Sequence, residues 1–215
     1  MLKVGQYVRQ DFGGPLMTVI GFEPEFIEDV ITEWQDENGN VCTGKFMHSQ
    51  LEVVSEKLIQ CVEALKQRKW TIAFAEGISE GRICYQFSSV PETDSILIGG
   101  MVALKDHMKE YFFGIKREDL QKFGGESAEV AELMANNLCQ YLEADICVSV
   151  TGVSQINEQN SGDDKKHSVF VHLKFPDVHF TKEFEFKGTK SKVAEQTVDA
   201  IAELIIEKSG FKNSA

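Results

Sequence analysis

The sequence predicts an α/β layered sandwich with a mixed sheet, preceded by a small all-β SH3-like barrel. Three observations predict it. Up to about Val54 the side chains alternate in short runs broken by turn residues, which is the pattern of half-buried strands. From Ser55 onward helical spacing and short apolar runs alternate, which is the pattern of strands layered between helices. Near the end, SVFVHLKF and VHFTKEFEF read as a hairpin, so the second sheet cannot be wholly parallel. The expected division is residues 1–54 and 55–215.

In the first part, VGQYVRQ, GGPLMTVIGFE, FIEDVITEWQDENGNVCTGKFM and SQLEVV read as four or five short strands. Gly13-Gly14-Pro15 signals a turn, and Asp36 to Asn40 a hairpin turn in which Asn38-Gly39 supplies positive φ. Phe22, Trp34, Phe46 and Leu51 are the expected core. Trp34 has a second reading, an aromatic that docks a peptide partner, but a core tryptophan is preferred. The strings Val4-Gly5-x-x-Val8 and Gly13-Gly14-Pro15-x-Met17-Thr18-Val19, with Trp34, Gly39, Phe46 and Leu51, resemble the YodC-like family. That resemblance implies a fold and no activity.

The second part opens with Leu58, Ile59, Val62 and Leu65 at helical spacing behind a capping Ser55. The expected elements are helix 56–68, strand 70–75, helix 79–88, strand 94–103, helices 106–113 and 117–122, helix 127–142, strand 145–151, a loop over residues 152–166, the hairpin, and helix 189–208. The stretch Thr71 to Gly81, TIAFAEGISEG, is the expected seat of chemistry. A buried strand turns sharply into a helix start, whose unpaired N–H groups and positive dipole end suit an anion or an oxyanion.

Bulk properties narrow the partners. The chain has 215 residues, net charge −12, 42% hydrophobic and 26% charged residues, ordinary values for a globular protein. The first part carries nine acids against three bases. Nucleic-acid binders draw affinity from neutralising phosphates with a basic face, so no nucleic-acid partner is expected. No apolar run spans a bilayer and the N-terminus has no signal core, so no membrane association is expected and a cytoplasmic location is. The five cysteines, Cys42, Cys61, Cys84, Cys139 and Cys147, show no metal spacing and read as buried reduced thiols. The five histidines form no catalytic spacing, although His172 and His179 lie on the hairpin and could face each other. No metal and no cofactor is expected.

Residues 56–210 resemble the CinA C-terminal domain family, whose active members are nicotinamide mononucleotide deamidases. The family string AESCTGG falls on Ala75-Glu76-Gly77-Ile78-Ser79-Glu80-Gly81. GGVVxYSxxxKxxxLGV falls on Gly99 to Lys105, Lys109 and Phe113-Gly114-Ile115. GAVSxxVAxxMA falls on Gly124-Gly125-Glu126-Ser127, Val130-Ala131 and Met134-Ala135. ADxxVxVTGIAGP falls on Ala144-Asp145 through Val150-Thr151-Gly152-Val153-Ser154-Gln155, and the opening of the last helix on Gly188-Thr189-Lys190.

The resemblance implies attack on the amide by the serine of the first string, helped by the tyrosine and lysine of the second. Here those positions are Gly77, Leu104 and Lys109. Glycine offers no atom for an acyl intermediate and leucine moves no proton; Lys109 reads as a solvated helix-face charge. Ser79 is an alternative nucleophile, but two helical residues turn it about 200° away from the attack position, and an N-cap role suits it better. Ser127 reads as a cap too. Glu80 falls in the expected first helical turn, where its carboxylate would satisfy free N–H groups, and Lys190 replaces an arginine, losing a bidentate grip. The ligand-binding candidates are Glu76, Ser79, Lys109, Ser127, Thr151, Gly152 and Lys190. The functional expectation is a non-catalytic CinA-like protein with a binding or scaffolding role, a nucleotide-sized pocket and self-association through the α/β part. The alternative is an amidohydrolase of altered mechanism, using Ser79 or a water near Lys109.

Overall fold

The computed structural model describes residues 1–11, 13–25, 27, 29–154 and 165–211. Five strands come first: β1 (Tyr7–Gln10), β2 (Gly13–Phe22), β3 (Val30–Gln35), β4 (Val41–Phe46) and β5 (Leu51–Val53). They form one antiparallel sheet in the order β4-β3-β2-β1-β5. β4 and β5 are its two edges and do not pair with each other, so this is an all-β sheet without the ladder that would close a barrel. The expected turn at Gly13-Gly14-Pro15 is the start of β2, where both glycines take positive φ (108° and 107°). The Asn38-Gly39 turn forms as expected, with Gly39 at φ 78° and the Asp36 carboxylate accepting from the Asn38 and Asn40 N–H groups at 2.9 and 2.8 Å.

The core of this sheet is Leu2, Val8, Met17, Val19, Val30 and Leu51, with Trp34 and Phe46 half-buried beside it. Phe22, an expected core residue, is exposed. It ends β2 on the solvent side of the pleat, a parity that alternation in a bulged strand does not fix.

After β5 come α1 (Glu56–Arg68), β6 (Ile72–Glu76), α2 (Arg82–Ser88), β7 (Leu97–Val102), α3 (Asp106–Phe113), α4 (Arg117–Phe123), α5 (Ala128–Tyr141), β8 (Ile146–Ser154), β9 (Lys166–Lys174), β10 (His179–Lys187) and α6 (Lys190–Ser209). The strands form a mixed sheet in the order β10-β9-β8-β6-β7. β7, β6 and β8 are parallel, and β9 and β10 return antiparallel. β8 runs three residues into the expected loop, and residues 155–164 of that loop, with Gln155 and Ile156, lie outside the described residues.

Alternation along β6 sorts the layers. Ile72 and Phe74 point into a cluster with α1, α2 and α6, while Ala73 and Ala75 point the other way, under α3, α4 and α5. The small residues let α5 lie close on that face. There Cys139 of α5 and Cys147 of β8 are joined in a disulfide with Cα atoms 5.9 Å apart, against the expectation of five reduced thiols; the helix crossing over the strand brings together two cysteines that look scattered in sequence. Cys42, Cys61 and Cys84 are free. Ser55 stands at the N-cap of α1, but its hydroxyl donates to Asp199 of α6 instead of capping. Among the described residues no helix is long and apolar enough to cross a membrane.

Phe74 is fully buried, with its ring 4.7 Å from that of Phe87. Phe74→Ala should lower the unfolding free energy by about 3–5 kcal/mol in urea titration.

Candidate functional site

The chain runs from β6 to β7 on one side, then crosses back to β8 on the other. The carboxyl ends of β6 and β8 therefore flank a topological switch point, where an open α/β sheet leaves a crevice. Glu76, Gly77, Thr151 and Gly152 sit there by topology, and the α3 and α5 layer brings Lys109, Glu126 and Ser127 over it.

Glu76 is buried at 1% exposure. Its Oε2 accepts from the Gly81 and Ile83 N–H groups at 2.9 and 3.2 Å, and its Oε1 from Cys84 N–H at 2.8 Å. The donors expected to await an anion at the start of α2 are already held by the chain's own carboxylate. The helix begins at Arg82, with Gly81 as N-cap, two to three residues later than expected. Ser79 is consequently not a cap. Its hydroxyl is buried and has no hydrogen-bond partner among the described residues, so none of them addresses it as a base. Glu80 lies outside the helix in a left-handed turn, φ 57°, and its carboxylate pairs with Lys190 rather than with helix N–H groups.

Lys109 is the largest correction. It is fully buried, not solvated. Its Nζ donates to Gly125 O and, at 2.8 Å, to Glu126 Oε1, with Asp106 Oδ1 at 3.8 Å. The other carboxylate oxygen, Glu126 Oε2, accepts from Gly152 N–H at 2.8 Å. Gly77 donates its N–H to Val150 O at 2.8 Å. A Cβ on Gly77 would lie 3.1 Å from Val150 O and 3.8 Å from Glu126 Oε2. The tight neighbour of such a Cβ is the Val150 carbonyl, and the Glu126 carboxylate stands beside it at ordinary van der Waals distance, facing Gly77.

The remaining candidates are placed as follows. Ser127 caps α5 as expected, accepting from Val130 N–H at 3.3 Å and donating to Gly124 O at 2.9 Å. Thr151 is buried and donates to Ser127 O at 3.1 Å. A Cβ on Gly152 would come 2.6 Å from Ser168 O, so that position requires glycine. Leu104 is half-exposed just past the end of β7. His172 and His179 do face each other, rings 5.6 Å apart. Burial, partly opposed by Glu132, pushes the His172 imidazole down to about 4, so it is neutral near pH 7.

Sequence reasoning missed Glu126. The signal was present: an acid stands in Gly124-Gly125-Glu126-Ser127 where the family string has an apolar residue. A second space also went unseen. A cavity of about 650 Å³ opens between the first sheet and the α2 and α6 helices, lined among others by Arg9, Glu52, Ser55, Arg82, Tyr85 and Asp199.

A family profile described as the CinA C-terminal domain matches residues 55–208. A CinA-like protein of Thermotoga neapolitana is 28% identical over 171 residues, 79% of this chain and 39% of that protein. A CinA-like protein of Endomicrobium trichonymphae is 26% identical over 202 residues, 92% of this chain and 45% of that one. The chain spans less than half the length of these relatives. The solved structure of a competence-damaged protein (CinA) superfamily protein from Klebsiella pneumoniae is similar with a TM-score of 0.64 and 20% identity, covering 72% of this chain and 96% of that one; at that identity the likeness speaks to the fold. The matched span, the three layers and the mixed five-stranded sheet agree, and the chain belongs to the CinA C-terminal domain family.

Proposed function

We propose that this chain is a non-catalytic CinA-like protein, a degenerate relative of nicotinamide mononucleotide deamidases that works by binding or scaffolding. Its parts on this reading are a YodC-like module over residues 1–54 and a CinA-like domain from residue 55. The observation that carries the reading is the Glu126 carboxylate in front of Gly77. It uses up the Lys109 ammonium and the Gly152 N–H, and it brings negative charge to the place where a substrate phosphate or a developing oxyanion would need positive charge. Glu76 likewise uses up the start of α2. A carboxylate held by an ammonium and a peptide N–H is a stabilised anion and a poor nucleophile.

The space left for a small ligand is then the cavity between the first sheet and the α2 and α6 helices, where Arg82 supplies a cation. Self-association through the α/β part and a peptide partner for the N-terminal module belong to the same reading; light scattering on the purified chain tests the first. The rival reading, an amidohydrolase that activates water, draws on the same carboxylate beside Gly77.

The two readings separate on nicotinamide mononucleotide. The wild-type chain should release no ammonia above the uncatalysed rate, while Gly77→Ser combined with Leu104→Tyr and Glu126→Val should gain turnover. Turnover by the wild type that disappears in Glu126→Gln or Ser79→Ala would establish the hydrolase instead.

A second prediction concerns stability. Glu126→Val alone leaves the buried ammonium with only Gly125 O and the more distant Asp106 carboxylate and should cost about 2–3 kcal/mol, less than a fully enclosed pair because the Glu126 carboxylate is one-third exposed. Lys109→Met added to it should recover most of that loss, read by urea unfolding of the three proteins.

A further inference from the structure

The sequence holds no metal spacing, yet the fold gathers a ligand set. Glu132 lies on α5, His172 on β9 and His179 at the start of β10. One ligand atom from each falls within 4.8 Å of the others. The hairpin register explains the meeting of the imidazoles. His172 pairs with Thr181, and His179 lies two residues before Thr181, so both rings stand on one face of the hairpin. α5 crosses that same face and supplies the carboxylate.

Three details fit a cation better than they fit packing alone. His172 is 1% exposed, and its Nε2 has no hydrogen-bond partner among the described residues. A buried polar nitrogen without a partner costs about 1–3 kcal/mol. Its Nδ1 lies 2.8 Å from Thr181 Oγ1. With the proton on Nδ1, directed at the hydroxyl, the Nε2 lone pair is free and the ring is held in orientation, as the outer hydrogen bonds of metal-binding histidines do. Third, His179 Nδ1 and Glu132 Oε1 are 3.7 Å apart, too far for a hydrogen bond. Donor atoms around a tetrahedral Zn²⁺ with bonds of 2.0–2.1 Å are about 3.3 Å apart, so closure by up to about 1.5 Å would complete the set. His179 and Glu132 are half-exposed side chains able to make that movement.

We propose that Glu132, His172 and His179 bind a divalent cation of the Zn²⁺ type, which clips α5 to the β9–β10 hairpin and keeps a fourth coordination position open to solvent. Two imidazoles and one carboxylate suit Zn²⁺ and its borderline neighbours. Ca²⁺ and Mg²⁺ prefer six or more oxygen donors and are not matched. The site lies on the α5 face of the hairpin and shares no ligand with the Glu126 cleft, so it stands whether or not that cleft is active.

The test uses the full chain with its disulfide intact, stripped with chelator and titrated with ZnCl₂ by calorimetry and thermal unfolding. One Zn²⁺ per chain should bind at micromolar concentration or tighter and raise Tm. His179→Ala, at an exposed position, and Glu132→Gln, isosteric at a partly buried one, should each weaken binding at least tenfold. Thr181→Val should weaken it about tenfold through the lost orienting hydrogen bond. Co²⁺ in the same site should give visible bands of a nitrogen and oxygen set, without the thiolate charge-transfer band that binding at the free cysteines would produce. No binding at 100 micromolar Zn²⁺ (roughly a hundredfold above the expected range), or equal binding by wild type, His179→Ala and Glu132→Gln, would overturn the proposal.

Discussion

An ammonium group removed from water must find a counter-charge inside the protein or lose its proton. Lys109 is removed from water completely. Its counter-charge, Glu126, comes from the turn before α5 and reaches across to Gly152 on β8. That single carboxylate therefore ties α3, the start of α5 and the end of β8 into one unit. The glycine at position 77 is part of the same constraint. A side chain there would press first on the Val150 carbonyl, with the Glu126 carboxylate as its next polar neighbour. On the function proposed above, the missing hydroxyl and the added acid are one change in two places.

Much of the fold was legible because its signals are local. Leu58, Ile59, Val62 and Leu65 mark α1, Asn38-Gly39 marks a hairpin, and the Ser127 cap marks the start of α5 in the residues themselves. The site was legible only as positions. Glu76 was named as a candidate, but that it folds back onto the start of α2 depends on where the helix starts, and Gly81 starts it later than the run of residues suggests. Lys109 was named with the wrong environment, since exposure on α3 is decided by what α5 lays over it. The Cys139–Cys147 pair could not be read at all, and of the Glu132, His172 and His179 group only the facing histidines could. Each joins elements whose neighbourhood is set by strand order, and strand order is a property of the whole sheet.

Both layers of the second sheet also depend on a division of labour in β6. Its large residues face α1, α2 and α6, and its alanines face α5. Close approach of α5 is what brings Glu126, Ser127 and Glu132 to the sheet. The cleft and the histidine group thus share a structural cause while sharing no residue.

The seam between the two sheets has a mechanical meaning. Only Val54 and Ser55 separate β5 from α1, and both are fastened: Val54 N–H donates to Tyr7 O at 2.9 Å, and Ser55 holds Asp199 of α6. Tyr85 of α2 adds a brace to Glu52 at 2.8 Å. A connector so short and so pinned behaves as a bracket, not a hinge. Whatever grips the N-terminal sheet would hold the rest of the molecule at a fixed heading, so torque on one part is delivered to the other without slack.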